Sequence, residues 1–553
     1  MSEPVALPAR VVEPKAEPSA GPVATSPSAP ALAFIPMHRG RAALYMLASL
    51  LLSVTQGFGM NMVTVNLTTY QGELGITSAE VTWLVAAYMA PNVSLSLALI
   101  KIRNQYGLRR YAEISILGFV VACLLNLAIT DFNSALIVRF MSGIAAAPMS
   151  SLAFLYMLEP FPPERKLSTG LSLALSNSAL GMPLARILSP TLLDIGQTEA
   201  LKLVEVAMAL VACAMVYTLP LTSPPRAKVI SRWDVISYLF IAVGFGALAV
   251  VLATGRIYWW FDVPWLGVLI AVSSLAIAAA VIIELNRKSP LIDIRWITSP
   301  QILHFTAALF VFRLVLSEQT TGAAGFYQAL GLTNWQMQSL YGAILASAVA
   351  GGITCALVLK PGREPKLHLA ALVLITVGAF LDSRSTSLTR PSDMILSQSM
   401  VAFAGSLFLP PAMASGLLSA LKKGPNYILS FIVIFLLTQS LGGLFGSAVF
   451  GTFIQMRQTA HGQALSENIV LADPMVAQRL SQYGGALKGA IADASARDLQ
   501  GLTLMRQVIT REATVLAYND AFLLISAIAL VALVALLMHM TLIAFRDRQT
   551  VYA

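Results

Sequence analysis

Charge is the first thing this chain has little of. Asp, Glu, Lys and Arg make up 11% of its 553 residues while 57% are hydrophobic and mean hydropathy is +0.74, against about 25% charged residues in a soluble protein. Too few ionic side chains remain to solvate a surface of that size, which excludes a soluble enzyme, a disordered scaffold and a secreted disulfide module. Cysteine is scarce as well. Cys123, Cys213 and Cys355 each sit inside an apolar run and read as small hydrophobes. The five histidines, His38, His304, His368, His461 and His539, lie on separate segments with no carboxylate or thiol at metal-ligand spacing. A Walker A segment and a G-x-S-x-G elbow are both missing. No cofactor or metal is therefore expected, and transport driven by an existing gradient is the default.

Apolar stretches are abundant. About fourteen reach the ~20 residues that cross the hydrocarbon as a helix. They cover 42–67, 80–102, 111–130, 134–158, 167–193, 200–221, 234–254, 263–285, 300–322, 336–359, 367–384, 393–419, 427–454 and 520–545. These are continuous runs without period-2 alternation, so a β-barrel is excluded and an all-α membrane protein is expected. Residues 1–41, rich in Pro, Ala, Ser and Val, lack an h-region with a cleavage site and read as a disordered cytoplasmic tail.

The net charge of +9 is explained by topology and does not call for nucleic acid. Alternate loops hold Lys101, Arg103, Arg109 and Arg110, then Arg165 and Lys166, then Arg226, Lys228 and Arg232, then Arg287, Lys288 and Arg295, then Lys360, Arg363 and Lys366, then Lys422 and Lys423. The opposite short loops contribute only Lys202, Arg256, Arg384 and Arg390. By the positive-inside rule the first set is cytoplasmic, and an even number of crossings puts both termini, including the tail 546–553, on that side. Trp259, Trp260, Trp265, Trp233 and Trp296 fall at span ends, where indole rings anchor at the headgroups. One outer connection is long and polar, 455–519, with weak amphipathic helical patterns at 475–482 and 498–518. It reads as a surface cap or as a docking surface for a periplasmic partner.

Ionisable groups inside spans are costly and mark pathways. Arg139, Arg186, Arg313 and Glu318 are the clear cases; Glu205 and Asp382 lie near span ends, where snorkelling to water explains them equally well. Arg313 and Glu318, five residues apart, stand about 140° apart round a helix, so they do not pair directly. Gly181, Pro183 and Pro190 interrupt the fifth stretch, Gly405, Pro410 and Pro411 the twelfth, and Gly442, Gly443, Gly446 and Gly451 follow one another in the thirteenth. Such residues serve close packing, or the bending that alternating access needs.

At these residues the chain resembles the major facilitator superfamily, and within it the fourteen-span drug:proton antiporters of the EmrB/QacA type. ALIVRFMSGIAAAP (135–148) is similar to the fourth-span R-x-x-x-G motif, with Arg139 and Gly143 on its Arg and Gly, and EPFPPERK (159–166) to the loop after it. TQSLGGLFGSAVFGT (438–452) resembles the thirteenth-span glycine motif, and REATVLAYNDAF (511–522) the approach to the last span. Departures accompany the likeness. In IKIRNQYGLR Gly107 and Arg109 survive, but Asn104 stands where the family carries the Asp that tethers this gating loop. The family's intramembrane Asp in span one aligns with Gly59, near Asn61 and Asn66. Of the fifth-span antiporter motif, Gly181 and Pro183 remain, while Arg186 is unexpected.

The resemblance implies a major facilitator fold of 14 transmembrane helices (6+2+6). The bundles would span 42–221 and 299–545, joined by linker helices seven and eight in 222–298. It implies secondary active export of small amphiphilic or aromatic compounds across a bacterial inner membrane by proton antiport. Membrane lipid surrounds the protein, and a periplasmic membrane fusion protein and an outer-membrane channel are implied partners. Because Asn cannot carry a proton, Glu318 is the candidate coupling carboxylate, balanced by Arg313 or Arg139, with Asp382 and Glu113 behind it. Asn61, Arg139, Arg186, Arg313 and Gln439 are the expected cavity lining, and the arginines favour an anionic or amphiphilic substrate. Two alternatives stay open: a uniporter or lipid and fatty-acid transporter of the same fold, and a membrane sensor that transports nothing.

Overall fold

The computed structural model describes residues 36–222, 228–287, 290–470 and 472–552. Among them every regular element is helical. Most of the expected tail lies outside the described residues. Its last part does not: α1 (Arg39–Val65) starts three residues before 42, because the His38 ring accepts from the Gly40 amide and caps it.

A short α2 (Leu67–Leu74) leads to α3 (Ser78–Ser96), opened by a capping box in which Thr77 and Glu80 satisfy each other's backbone amides. Then come α4 (Leu99–Tyr106) and α5 (Leu108–Asn126), divided by Gly107 at φ 84° and ψ 150°, a backbone region open only to glycine. Asp131 and Ser134 form the box that opens α6 (Phe132–Leu158). After α7 (Pro163–Arg165) and a π-turn at Lys166–Gly170, α8 (Leu171–Ser178) ends where the Gly181–Pro183 interruption was expected. Pro183 falls in the first turn of α9 (Gly181–Thr218), where an amide has no intrahelical partner to lose. Gly196 and Gln197 leave helical geometry, with Gln197 at φ 53°, and split α9 into the two arms expected as separate spans.

The inserted pair is α10 (Arg232–Thr254), capped by Ser231 and Asp234, and α11 (Pro264–Leu285). A turn, α12 (Ile294–Ile297), precedes α13 (Pro300–Ser317), which runs through a π-segment, Glu318–Ala323, into α14 (Ala324–Ala329). The chain continues as α15 (Gln338–Val358), α16 (Glu364–Asp382), α17 (Ile395–Lys423), α18 (Pro425–Glu467), α19 (Pro474–Gly485) and α20 (Ala494–Tyr552). Among the described residues, 11 helical segments are long and apolar enough to cross a membrane. Counting both arms of α9, and adding α3 and α5, is compatible with fourteen.

Two sequence expectations need correction. Residues 455–519 are not a loop for most of their length. α18 continues to Glu467 and α20 begins at Ala494, and the two are tied by Arg457 and His461 on Asp520, at 2.6 and 2.7 Å, and by Gln458 on Thr514 at 2.8 Å. Residues 546–552 continue α20. Trp296, read as a headgroup anchor, is instead buried against Tyr427, whereas Trp265, tilted against Trp83 and edge-on to Tyr258, and Trp260, which donates to Thr452, are only half-buried.

Two large apolar cores hold the helices. One gathers α1, α3, α5, α6 and α9 around Tyr45, Leu52, Phe119 and Tyr156. The other gathers α13 to α18 and α20 around Phe312, Phe326, Tyr327, Phe431 and Phe522, and takes in Leu171 and Leu175 of α8. Helices approach most closely where side chains vanish. Gly57 and Gly181 bring α1 and α9 together so tightly that a Cβ on either would lie 2.6–2.8 Å from the other's Cα.

Candidate functional site

Arg139 and Gly143 are one helical turn apart on the same face of α6. A Cβ at Gly143 would lie 2.2 Å from the Tyr88 carbonyl, so the bare position lets α3 close in. The Tyr88 ring then sits 4.5 Å from the buried Arg139 guanidinium, and Asn92 donates to the Gly143 carbonyl at 3.3 Å. Arg139 itself donates to the carbonyls of Gly59 at 3.0 Å and Met60 at 3.5 Å, clasping α1. Gly59, the position aligned with the family's span-one Asp, carries no side chain, and Glu205 from α9 fills the space above it. Glu205 is 6% exposed, so it does not snorkel.

Arg313 and Gln439, both expected in the cavity, do meet: the guanidinium donates to the Gln439 side-chain oxygen. Gly442 and Gly446 make room for this, since Cβ atoms there would lie 2.9 Å from Arg313 Cγ and from the Arg313 carbonyl. Gly443 has open space beside it and plays no such part. Arg313 lines a cavity of about 100 Å³ between Leu175 and Ser178 of α8 on one side and Gln319, Ile344, Ser406 and Pro410 on the other.

Glu318 opens the π-segment and is fully buried. Its expected balance by Arg313 or Arg139 is not what the structure has. Gln398 Nε2 donates to Glu318 Oε1 at 2.6 Å and to Asp382 Oδ2 at 2.8 Å, and Ser397 donates to Asp382 Oδ1 at 2.5 Å. Glu318, five residues after Arg313 and about 140° round the helix, faces α16 and α17, while Arg313 faces Gln439 of α18. Glu318 Oε2 and Gln398 Oε1 are buried without hydrogen-bond partners among the described residues, an arrangement that a proton on the glutamate would satisfy. Asp382, like Glu205, is buried and not snorkelling.

Arg186 joins neither group. Its Nη1 donates to Asn334 Oδ1 at 2.8 Å over the Tyr341 ring, and Asn334 Nδ2 donates to the Val65 carbonyl at 3.0 Å. The result is a clasp between α9, α1 and the segment before α15. Asn61 is turned back on its own helix, donating to the Gly57 carbonyl at 2.7 Å, and lies outside the Arg313 cavity. In the segment expected as the gating loop, Asn104 is half-buried within α4, and Arg109, in the first turn of α5, is exposed and pairs with Glu113 at 2.9 Å. The buried ionic link there is Lys101 to Asp234 at 2.7 Å, extended by Arg287 to Asp234 and Glu284. Sequence reasoning missed this tether, as it missed Asn334, Gln398 and Tyr88. The one available signal was a Lys and an Asp within opposing span ends.

Residues 49–447 match the family described as Major Facilitator Superfamily. The chain belongs to that superfamily. It is a multi-pass transporter and not an enzyme. Within the superfamily it is 22% identical to the multidrug export protein EmrB of Escherichia coli (strain K12) over 519 residues, which cover 90% of this chain and 95% of EmrB. It is also 22% identical to the probable multidrug resistance protein EmrY of the same organism over 491 residues, 85% of this chain and 89% of EmrY. Among solved structures the human organic anion transporter MFSD10 (TETRAN) superposes with a TM-score of 0.54 at 12% identity, covering 89% of this chain and all of that one. That likeness shows the major facilitator fold. The chain is thus a superfamily transporter distantly related to multidrug efflux proteins.

Proposed function

We propose that this transporter exports small amphiphilic or aromatic compounds across a bacterial inner membrane by alternating access, coupled to proton entry, with both termini in the cytoplasm. The observation that carries the proton coupling is the Glu318–Gln398–Asp382 group: two buried carboxylates bridged by one amide, with no ion pair to a cation among the described residues. Like charges so close in a medium of low dielectric cannot both ionise cheaply, and a proton on one of them resolves the conflict. The Arg313 cavity is the substrate chamber. Its guanidinium is bound to a neutral amide, so its charge stays available to an anionic or amphiphilic guest.

In this reading the 6+2+6 grouping supplies the rocking halves, and the paired ends of α18 and α20 with α19 face the periplasm. There they offer helical surface to a membrane fusion protein and its outer-membrane channel. The test is export of an amphiphilic dye from proteoliposomes with and without an imposed pH gradient. Wild type should respond to the gradient and Glu318→Gln should not. Gradient-driven export that is unchanged in Glu318→Gln removes this carboxylate from the mechanism, and export indifferent to the gradient in wild type favours a uniporter.

A further inference from the structure

Glu205 is a second buried acid, on the other core from Glu318. Its carboxyl rests on the bare backbone of α1: a Cβ at Gly59 would lie 2.2 Å from Glu205 Oε1 and 3.1 Å from its Cδ. The hydrogen bonds it accepts are long, 3.4 Å from Asn126 Nδ2 and 3.7 Å from the Cys123 thiol, both on α5. Arg139 of α6 lines the same small cavity, of about 20 Å³, yet gives its hydrogen bonds to the Gly59 and Met60 carbonyls and does not form an ion pair with Glu205 within 4.0 Å. The remaining titratable groups around this cavity are Tyr70 and Glu73 of α2 and Lys202 of α9, with Tyr88 of α3 beneath Arg139. Lys202 is already engaged by Glu73 and Glu199, both at 3.3 Å, and Glu73 is one-third exposed.

We propose that Glu205 is a proton-binding carboxyl whose charge state decides how Arg139 holds α1. This rests on the proton-coupled reading above. While Glu205 keeps its proton, the guanidinium is free to clasp the Gly59 and Met60 carbonyls. When the proton leaves through the cavity towards Glu73, the carboxylate attracts the guanidinium across that cavity, and the clasp on α1 weakens. Proton and helix contact then become linked, which is what couples a proton to a moving helix. Gly59 is the residue that permits it, since any side chain there would evict the carboxyl.

Infrared difference spectroscopy on the full-length protein in proteoliposomes, titrated with pH and without added substrate, reads the proton itself. The expected result is a protonated-carboxyl carbonyl band that is lost in Glu205→Gln, shifted in Glu205→Asp and retained in Glu318→Gln. The double variant Gly59→Asp with Glu205→Ala returns a carboxyl to the same cavity from α1 and should restore a band. A spectrum identical to wild type in Glu205→Gln overturns the proposal. If that variant does not fold, an unshifted band in Glu205→Asp overturns it equally. Because no substrate is involved, a lost band alongside export indifferent to a pH gradient would refute the coupled reading while leaving the site standing.

Discussion

Arg186→Ala should open the end of the transporter at which α9, α1 and the segment before α15 meet. The wild-type clasp contains one charge-assisted hydrogen bond, Arg186 to Asn334 at 2.8 Å, and one guanidinium–ring contact with Tyr341 at 5.1 Å. Such a bond contributes about 1.5–3 kcal/mol and such a contact about 0.5–2 kcal/mol. Arg186 is buried, so neither is heavily screened by solvent. If about 3 kcal/mol of this is lost on opening, removing the side chain shifts the closed-to-open ratio by roughly 100-fold, at about 1.4 kcal/mol per factor of ten. Asn334→Ala should do at least as much. It removes the acceptor for Arg186 and the donor to the Val65 carbonyl, and it leaves a buried guanidinium without its partner. Lysine at 186 keeps the charge but not the planar face, and an intermediate shift is expected. Spin labels at exposed Ile195 and Leu388, which belong to segments of the two different halves, would report the distance distribution across this end. An Arg186→Ala distribution that coincides with wild type would refute the assignment of these contacts as a state-dependent clasp.

The other contacts make narrower predictions. Gly59→Ala should destabilise the protein by about 1–3 kcal/mol through overpacking against Glu205, and Glu205→Ala in the same chain should relieve it, as read by thermal unfolding in detergent. Gly352→Ala meets the Ser176 hydroxyl, 2.2 Å from the new Cβ, and should loosen α8 from α15; cross-linking yield between those helices should fall and recover in Gly352→Ala with Ser176→Gly. Lys101→Ala should cost about 1–3 kcal/mol, less than the ~3–5 kcal/mol of a fully orphaned buried charge, because Asp234 keeps Arg287. A loss as large as that of Asp234→Ala would contradict that ranking.

Much of the scaffold was legible because lipid imposes it. Long apolar runs have to become helices, so every expected span falls largely on helix, and Cβ atoms at Gly143 and Gly446 would meet a neighbouring helix at 2.2 and 2.9 Å. The pairings were not legible. Helical periodicity set Glu318 about 140° round from Arg313, but its partners Gln398 and Asp382 come from α17 and α16, and nothing in the spacing along the chain names them. Glu205 and Asp382 looked like end-of-span residues by counting along the chain. Glu205 is covered by α1 and α5, and Asp382 by Ser397 and Gln398 of α17, contacts between helices that sequence distance does not encode. The stretch 455–519 read as a polar connection because its helical patterns, at 475–482 and 498–518, are weak and amphipathic; α18 and α20 extend into it, held together by Arg457 and His461 on Asp520.

The helix pair α10 and α11 closes one flank of the molecule. Ile241 and Ala280 pack with Leu97 beside α3 and Val433 of α18 in one cluster, and Trp83 of α3 and Thr452 of α18 bond Tyr258 and Trp260 from the turn between the inserted helices. The cleft where α3 and α18 meet is thereby covered along its flank. A fatty guest diffusing within the bilayer finds that flank closed by protein.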